Sequence, residues 1–295
     1  MSRPPRRPAG PSRFAASAGG GRPPAGPRSP GGGPRKRGPG GGSAPAEKRD
    51  ASDFVRITGL PVVAAVFERD AGRVERLFFE QRLAGKVGPW THHMASRRKP
   101  YRIVEAEELA RIAGTTLNGG IVAVCRPREI GRFDPARAAE WARSGKPLVI
   151  LDGVGNPHNL GAIVRTMAFF GLEHLVISDH PGQAGLSEAA HRVAEGGLEW
   201  VTLWRAERLP QVLRDLRRDW LTVATALQDG RSPTIADLRA DRRPVALVLG
   251  NEEDGLPRET LKACETVLTL PGSGRVQSLN VAATAAILVQ AFAAG

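Results

Sequence analysis

Six short, largely apolar segments alternate with helical segments in the second half of the chain, and this alternation most constrains its fold. The apolar segments span residues 147–152, 174–178, 199–203, 220–225, 244–249 and 267–270. Strands that are apolar at every position, rather than at every second one, are typical of a parallel sheet covered on both faces. We therefore predict a doubly wound α/β domain over residues 147–295, with helices over 161–170, 187–194, 206–218, 257–265 and 278–293.

A smaller module precedes this domain. Residues 53–127 predict a small α/β unit with two helices, from Leu60 to Phe67 and from Glu105 to Ala113, and two strands, from Val74 to Glu80 and from Ile121 to Cys125. Pro61 fits the first turn of the first helix. Residues 128–146 predict a linker with one helix from Pro135 to Arg143.

The first 50 residues differ in composition from everything that follows. They hold twelve Gly, eleven Pro and eleven Arg or Lys against only Glu47 and Asp50, so they carry +9 of the net charge of +12. Such a segment cannot bury enough apolar surface to offset its ordering entropy, and we predict a disordered basic arm over residues 1–52. A basic arm suits a polyanion, with RNA as the leading candidate. A solubilising tail without a specific partner is the alternative.

Cations and aromatic residues are interleaved between the elements of the small module. The run GPWTHHMASRRKPYR holds Trp90, His92, His93, Arg97, Arg98, Lys99 and Tyr101. This mixture suits phosphate contact and base stacking, so we expect RNA to bind here. A solvated loop around one buried Trp is the alternative. The His pair has no second ligand pair, and we predict no metal site.

Composition also narrows the cellular setting. No run approaches the ~18 apolar residues of a membrane helix, and the N-terminus has no apolar core typical of a secretory signal. The Gly and Pro density disfavours an amphipathic transit peptide. Cys125 and Cys264 lie far apart in apolar surroundings, which indicates buried thiols in a reducing compartment. We expect a soluble, cytoplasmic protein.

Three polar corners follow apolar strands. They are Asn159-Leu-Gly-Ala-Ile-Val-Arg165, Gly250-Asn-Glu252-Glu-Asp-Gly255, and the loop from Leu270 through Ser278 to Asn280. Because ligands of parallel sheets bind outside the carboxyl ends of the strands, we expect the corners to converge. Asn159 is a candidate cap for a helix that begins at Leu160. Arg165 lies in an apolar stretch, so its guanidinium needs water, a carboxylate or a phosphate.

A dinucleotide site is disfavoured at these corners. Gly153-Val-Gly155 and Gly272-Ser-Gly274 both lack the third glycine and the setting of the NAD-binding fingerprint.

Together, and in this order, the three corners resemble the motifs of the SpoU (TrmH) family of RNA ribose 2′-O-methyltransferases, over about residues 55–295. The resemblance implies methyl transfer from S-adenosylmethionine to a ribose 2′-hydroxyl of tRNA or rRNA. It implies catalytic roles for Asn159, Arg165, Glu252, Ser278 and Asn280. It implies a cofactor pocket of Leu249, Gly250, Glu252, Leu270, Ser278 and Leu279, without a metal.

The resemblance also implies an architecture. The parallel-sheet domain is then catalytic, with a C-terminal trefoil knot that nothing in the spacing shows, and the small α/β module recruits RNA. The resemblance further implies a homodimer, formed through the catalytic domain, that helps to complete the site.

The residues alone leave the role of Arg165 open. The resemblance assigns it the proton of the attacking hydroxyl, but an arginine with a pKa above ~12 is a poor base. The alternative is that it stabilises the developing alkoxide and grips the adjacent phosphate. Two other functions also remain open: a base-methylating relative, and an RNA-binding protein of this fold without methyl-transfer activity.

Overall fold

The computed structural model describes residues 54–227 and 232–293, so the predicted basic arm lies outside the described residues. The N-terminal part of the described chain forms a four-stranded sheet in the order β1-β4-β2-β3 with three helices. Its elements are β1 (Val55–Thr58), α1 (Leu60–Asp70), β2 (Val74–Phe79), α2 (Gly88–Ser96), β3 (Tyr101–Ile103), α3 (Ala106–Ala113) and β4 (Ile121–Cys125).

The four elements predicted in this module are present, and the reasons are local. Gly59 enters α1 with φ 91°, and Pro61 occupies the first turn of that helix. Val63 and Val66 of α1 are fully buried against the sheet. Helix α3 ends at Gly114, which adopts the left-handed conformation that favours glycine at this position.

The sequence does not predict helix α2, because its Gly-Pro start and basic end look like a loop. Gly88 and Pro89 form the first turn of α2, where the missing N–H of proline costs nothing. The helix is fixed by tertiary contacts instead: Met94 is fully buried, and the Trp90 ring stacks on Phe67 of α1 with centroids 5.0 Å apart.

The rest of the chain forms a seven-stranded, fully parallel sheet in the order β11-β9-β10-β6-β7-β8-β5. Its elements are β5 (Gly131–Arg132), α4 (Pro135–Ala142), β6 (Leu148–Asp152), α5 (Pro157–Phe169), β7 (His174–Ser178), α6 (Glu188–Ala194), β8 (Thr202–Ala206), α7 (Leu209–Leu216), β9 (Leu221–Thr225), α8 (Ile235–Arg239), β10 (Val245–Gly250), α9 (Arg258–Ala263), β11 (Thr266–Leu268) and α10 (Val281–Ala293).

Both faces of this sheet are covered, as the continuous apolar strands predict. Along β6, Val149 and Leu151 join a core with α5, α6 and α10, whereas Leu148 and Ile150 join a second core with α4, α7 and α9. The parallel α/β architecture is therefore confirmed. Among the described residues, no helix is long and apolar enough to cross a membrane.

The strand predicted over residues 199–203 is wrong at its start. Residues Gly197–Glu199 form a 3-10 turn, and β8 begins at Thr202. The reason is a long-range ion pair: both carboxylate oxygens of Glu199 accept from Nη2 of Arg73, at 2.7 and 2.6 Å, and both side chains are almost fully buried. Because the 3-10 turn holds the Glu199 carboxylate at Arg73, residue 199 does not pair with the neighbouring strand as predicted.

A buried polar cluster surrounds this ion pair. Nη1 of Arg73 donates to the carbonyl of Arg126 at 3.1 Å. His191 on α6 is buried, and its Nδ1 lies 4.0 Å from Glu199. Burial lowers the pKa of His191 to about 4, with a further lowering from the positive charges of Arg73 and Arg128. Glu199 is already engaged by Arg73, so it does not reverse this shift.

The two cysteines are buried free thiols, as predicted from their apolar surroundings. Burial raises the pKa of Cys125 and of Cys264 to about 12 in each case, so both stay protonated at neutral pH.

Candidate active site

Three side chains, one from each polar corner, meet in a hydrogen-bonded cluster. The Asn159 Nδ2 donates to Oε1 of Glu252, and the Asn159 Oδ1 accepts from Nδ2 of Asn280 at 3.1 Å. Asn159 is 9% exposed, so these two bonds satisfy a nearly buried amide. The three corners converge as the parallel topology predicts, and we call these three residues the Asn-Glu-Asn cluster.

The capping role predicted for Asn159 is wrong. Helix α5 begins at Pro157, three residues earlier than Leu160, and its cap is Asn156. The side-chain oxygen of Asn156 accepts from the N–H of His158 at 2.9 Å. Asn159 therefore lies inside the first turn of α5, with its side chain free to bridge the other two corners.

The second corner is a tight turn at the end of β10. Asn251 and Gly255 exchange two backbone hydrogen bonds, of 3.0 and 3.1 Å. The Asn251 side chain accepts from the N–H of Glu253 at 2.8 Å and donates to the carbonyl of Gly153 at 3.0 Å. A Cβ at Gly250 would lie 2.6 Å from the Gly255 carbonyl, so only glycine fits there. This packing fixes the position from which Glu252 reaches Asn159.

The third corner lies on the surface. Every residue from 271 to 280 is exposed, including Ser278, while Leu270 is half-buried. Asn280 caps α10, with its Oδ1 accepting from the N–H of Ala282 at 2.8 Å. Its amide nitrogen is thereby aimed at Asn159.

An apolar, glycine-rich surface surrounds the carboxyl ends of β9, β10 and β11. Leu227 follows β9 and is 60% exposed, and Val276 and Leu279 of the third corner are 71% and 50% exposed. The three strands are neighbours in the sheet, so their loops leave from one edge. Gly272 and Gly274 have open space where a side chain would be. This surface offers apolar contacts and accessible backbone to a ligand.

Arg165 lies outside the Asn-Glu-Asn cluster. It follows Asn159 by six residues along α5, so the two side chains leave the helix in different directions. Its Nη1 lies 2.9 Å from Oε1 of Glu195, and both side chains are about half exposed. Glu195 therefore supplies the carboxylate that the sequence analysis names as one possible partner for this guanidinium.

The predicted RNA-binding run divides into two groups. Trp90 and His93 pack on Phe67, and the ammonium of Lys99 donates to the backbone carbonyls of Gly72 and Val74 at 2.7 and 2.6 Å. The exposed group consists of His92, Arg97, Arg98 and Tyr101. In residues 54–227 and 232–293, no group of three or more His, Cys, Asp or Glu side chains is placed to hold a metal ion.

Known proteins match both parts of the chain. Residues 146–290 match the SpoU rRNA methylase family, and residues 56–131 match the RNA 2′-O ribose methyltransferase substrate-binding family. The chain is 34% identical to a 23S rRNA (guanosine-2′-O-)-methyltransferase RlmB of Nitrosomonas europaea, over 63% of this chain and 70% of the relative. It is 28% identical to the uncharacterized tRNA/rRNA methyltransferase YfiF of Escherichia coli O157:H7, over 82% of this chain and 68% of the relative.

Solved structures share the fold. An AdoMet-bound rRNA methyltransferase from Sinorhizobium meliloti superimposes with a TM-score of 0.65 at 24% identity, covering 82% of this chain and 88% of the other. The SpoU methyltransferase AviRb from Streptomyces viridochromogenes, in complex with AdoMet, has a TM-score of 0.65 at 20% identity, with 85% and 94% covered.

Proposed function

The chain belongs to the SpoU family of RNA 2′-O-ribose methyltransferases, and from this membership we propose that it methylates a guanosine ribose of 23S rRNA. It is an S-adenosylmethionine-dependent enzyme that transfers a methyl group to a ribose 2′-hydroxyl. The ribosomal target is supported by the name of the Nitrosomonas europaea relative. The observation that carries the activity is the Asn-Glu-Asn cluster, which joins all three motifs of the family at one edge of the sheet.

The residues of this chain suit the methyl donor. We propose that it is held by Leu249, Gly250, Glu252, Leu270, Ser278 and Leu279. The half-exposed Leu279 and the open backbone of the glycine-rich third corner support this, because an adenine ring needs apolar contacts and backbone partners for its edge. When bound, S-adenosylmethionine supplies a methyl group on a sulfonium that needs no further activation.

The protein therefore contributes mainly positioning. We propose that Asn159, Glu252, Ser278 and Asn280 orient the RNA and the attacking oxygen. With the cofactor bound, the 2′-oxygen would form its bond to the methyl carbon as the methyl–sulfur bond breaks. The electron pair of that bond would stay on sulfur, which leaves as a neutral thioether, and the hydroxyl proton would pass to solvent water. We propose that Arg165 stabilises the charge that develops on this oxygen and grips the adjacent phosphate. Its pairing with a carboxylate supports this role, because a guanidinium held by Glu195 is a cation and not a base.

We propose that the enzyme is a homodimer assembled through α5 and α10. These helices pack together, and each presents a large apolar side chain to solvent: Phe169 is 83% exposed and Ile287 is 44% exposed. Burying such side chains against a second copy would remove unfavourable apolar surface.

Four further features complete the proposal. We propose a trefoil knot at the C-terminus, supported by the packing of α10 against both α5 and the central strand β10. We propose that residues 53–127 recruit the RNA and that 147–295 form the catalytic domain. We propose that residues 128–146 link the two while adding the edge strand β5 and helix α4 to the catalytic domain. We propose that the basic arm of residues 1–52 adds non-specific affinity for RNA. We also propose that the enzyme acts in the cytoplasm.

The test is methylation by the purified protein with radiolabelled S-adenosylmethionine, using 23S rRNA and bulk tRNA from cells that lack this protein. We expect label in 23S rRNA, at one guanosine mapped as a 2′-O-methyl site. Label in tRNA alone would refute the ribosomal target. Label on a base instead of a ribose, or binding of both substrates without transfer, would contradict the activity.

A further inference from the structure

A strained turn follows helix α6 and leads into the 3-10 turn at Gly197. Glu195 in this turn has φ 45° and ψ 44°. Among the described residues, only Arg98, Glu195 and Arg208 combine a side chain with a positive φ. A glutamate adopts this left-handed conformation unfavourably, because its Cβ approaches the following carbonyl, whereas glycine adopts it readily.

The turn is held between two helices. A Cβ at Gly197 would lie 3.3 Å from the Cα of Arg165 on α5, so the turn lies directly against that helix. A Cβ at Gly196 would lie 3.1 Å from the Cβ of Ala65 on α1. These close approaches fix the backbone of the turn and direct the Glu195 carboxylate to Nη1 of Arg165, 2.9 Å away.

Stability does not explain a glutamate at this position. The side chains of Arg165 and Glu195 are 56% and 55% exposed, and exposed pairs of this kind contribute little to folding. A glycine would relieve the backbone strain at the loss of only this weak pair. Local conflicts of this sort are expected where a side chain serves function.

We propose that Glu195 is a positioning residue for the methyl-transfer reaction, which sets the orientation of the Arg165 guanidinium before RNA binds. The carboxylate engages Nη1, and the guanidinium has further N–H groups to direct at the RNA phosphate and the 2′-oxygen. Because Glu195 already holds the Arg165 side chain, less conformational entropy is lost when the guanidinium is oriented for the reaction. This inference rests on the proposed role of Arg165 in catalysis.

The test compares Glu195→Gly, Glu195→Gln, Arg165→Ala and the double variant Glu195→Gly/Arg165→Ala in single-turnover and steady-state methylation. We expect Glu195→Gly to keep or raise Tm, to leave S-adenosylmethionine affinity unchanged, and to lower kcat about 10- to 100-fold. Glu195→Gln keeps an acceptor oxygen and should lose less. In the Arg165→Ala background, Glu195→Gly should cause almost no further loss, because its effect acts through Arg165.

Arg208→Gly is the matched control. This substitution relieves the same left-handed backbone strain at a position that lies away from the three corners in sequence. The backbone N–H of Arg208 donates to Oδ2 of Asp179 at 3.2 Å. We expect a kept or raised Tm and an unchanged kcat.

The outcomes separate the inference from the function on which it rests. If Arg165→Ala loses activity while Glu195→Gly keeps wild-type kcat, the role of Glu195 is refuted and the proposed function stands. Additive losses in the double variant would also refute the positioning role. So would a Glu195→Gly enzyme whose only change is tighter RNA binding, because that result would indicate that Glu195 competes with phosphate for Arg165. Full activity of Arg165→Ala would overturn the proposed role of Arg165 and the inference about Glu195 with it, while the methyl-transfer activity itself would stand.

Discussion

The side-chain amide of Asn280 donates to Oδ1 of Asn159 across 3.1 Å, and thereby ties the third corner to the first. Asn159 is separated from Asn280 by 121 residues and from Glu252 by 93, and its amide is the shared member of the cluster. A polar network in a nearly buried position depends on every member, because removing one partner leaves another group unsatisfied. Substitutions in the cluster therefore test the catalytic role of all three corners at once.

Replacing Asn159 by alanine should lower kcat by about one to two decades, because the loss of a buried polar partner costs roughly 1–3 kcal/mol and leaves Glu252 and Asn280 misplaced. The measurement is methylation kinetics alongside thermal unfolding. Asn156→Ala is the matched control: it removes the cap of the same helix, should cost about 1 kcal/mol of stability, and should leave kcat unchanged. Equal kcat in the two variants would mean that the cluster is only structural.

Arg165→Ala should abolish most methyl transfer while leaving the fold and the S-adenosylmethionine affinity nearly intact. The side chain is half exposed and its ion pair with Glu195 is weak, so little stability depends on it. Arg165→Lys should restore little activity, because a point charge does not reproduce the guanidinium fork. Calorimetric titration of the cofactor and a single-turnover assay distinguish the two effects. Near-wild-type turnover of the alanine variant would remove Arg165 from the mechanism.

The sequence predicts the parallel sheet well because continuous apolar strands have few other ways to be buried. It fails where a partner is distant in the chain. The predicted strand over residues 199–203 starts too early, because Arg73, which lies 126 residues away, holds Glu199 in a turn. The cap assigned to Asn159 overlooks Asn156, and only the folded chain brings Glu252 and Asn280 to the freed amide.

Local cues in the small module do not tell which members of the basic run are exposed. The basic run with Trp90 and Lys99 predicts RNA contact, yet the Trp90 ring stacks on Phe67 and the Lys99 ammonium bonds backbone carbonyls. The pairing of Arg165 with Glu195 has no periodic signature in the sequence. It arises because two adjacent glycines allow the turn after α6 to approach α5 and α1 closely.

Glu199→Gln should lower the free energy of unfolding by about 3–5 kcal/mol, because removing one charge of a buried pair leaves Arg73 with the more distant and exposed carboxylate of Asp70, 3.6 Å from its Nε. The measurement is urea unfolding at pH 7. Glu207→Gln is the control: its carboxylate lies 3.3 Å from Arg132, but the two side chains are 60% and 81% exposed, so the change should stay below about 1 kcal/mol. Similar losses in both variants would contradict the distinction by burial.

The contribution of His191 to the free energy of unfolding should fall as the pH falls. Its pKa is lowered from 6.5 to about 4 in the folded protein, so between these values the unfolded chain takes up a proton that the folded chain refuses. The contribution is complete above pH 6.5 and is lost progressively down to about pH 4, with a total of about 3 kcal/mol. His191→Gln removes this titration. The difference in unfolding free energy between the wild type and this variant should therefore change between about pH 7 and pH 4.5, while the exposed His158→Gln control should parallel the wild type.

Deletion of residues 1–50 should weaken RNA binding and make it less salt-dependent, while leaving the cofactor affinity and the methylated position unchanged. The arm carries eleven Arg or Lys against two acidic residues, so its contribution is electrostatic and largely independent of RNA sequence. For every phosphate that the arm no longer neutralises, the log–log salt slope should flatten by up to ~0.9 on duplex RNA and ~0.7 on single strands. Because not every cation meets a phosphate at once, a change of a few units is expected.

The measurement is a salt titration of RNA binding by the full-length and truncated proteins, with the methylated nucleotide mapped for each. A third protein, in which glutamine replaces the Arg and Lys of the arm, separates charge from length: it should match the truncation in slope, because the effect belongs to the charges. Site choice should survive in all three, since the exposed His92, Arg97, Arg98 and Tyr101 and the Asn-Glu-Asn cluster are intact in each. Identical salt slopes would remove the arm from RNA binding, whereas a shifted methylation site would mean that the arm reads the RNA rather than merely attracting it.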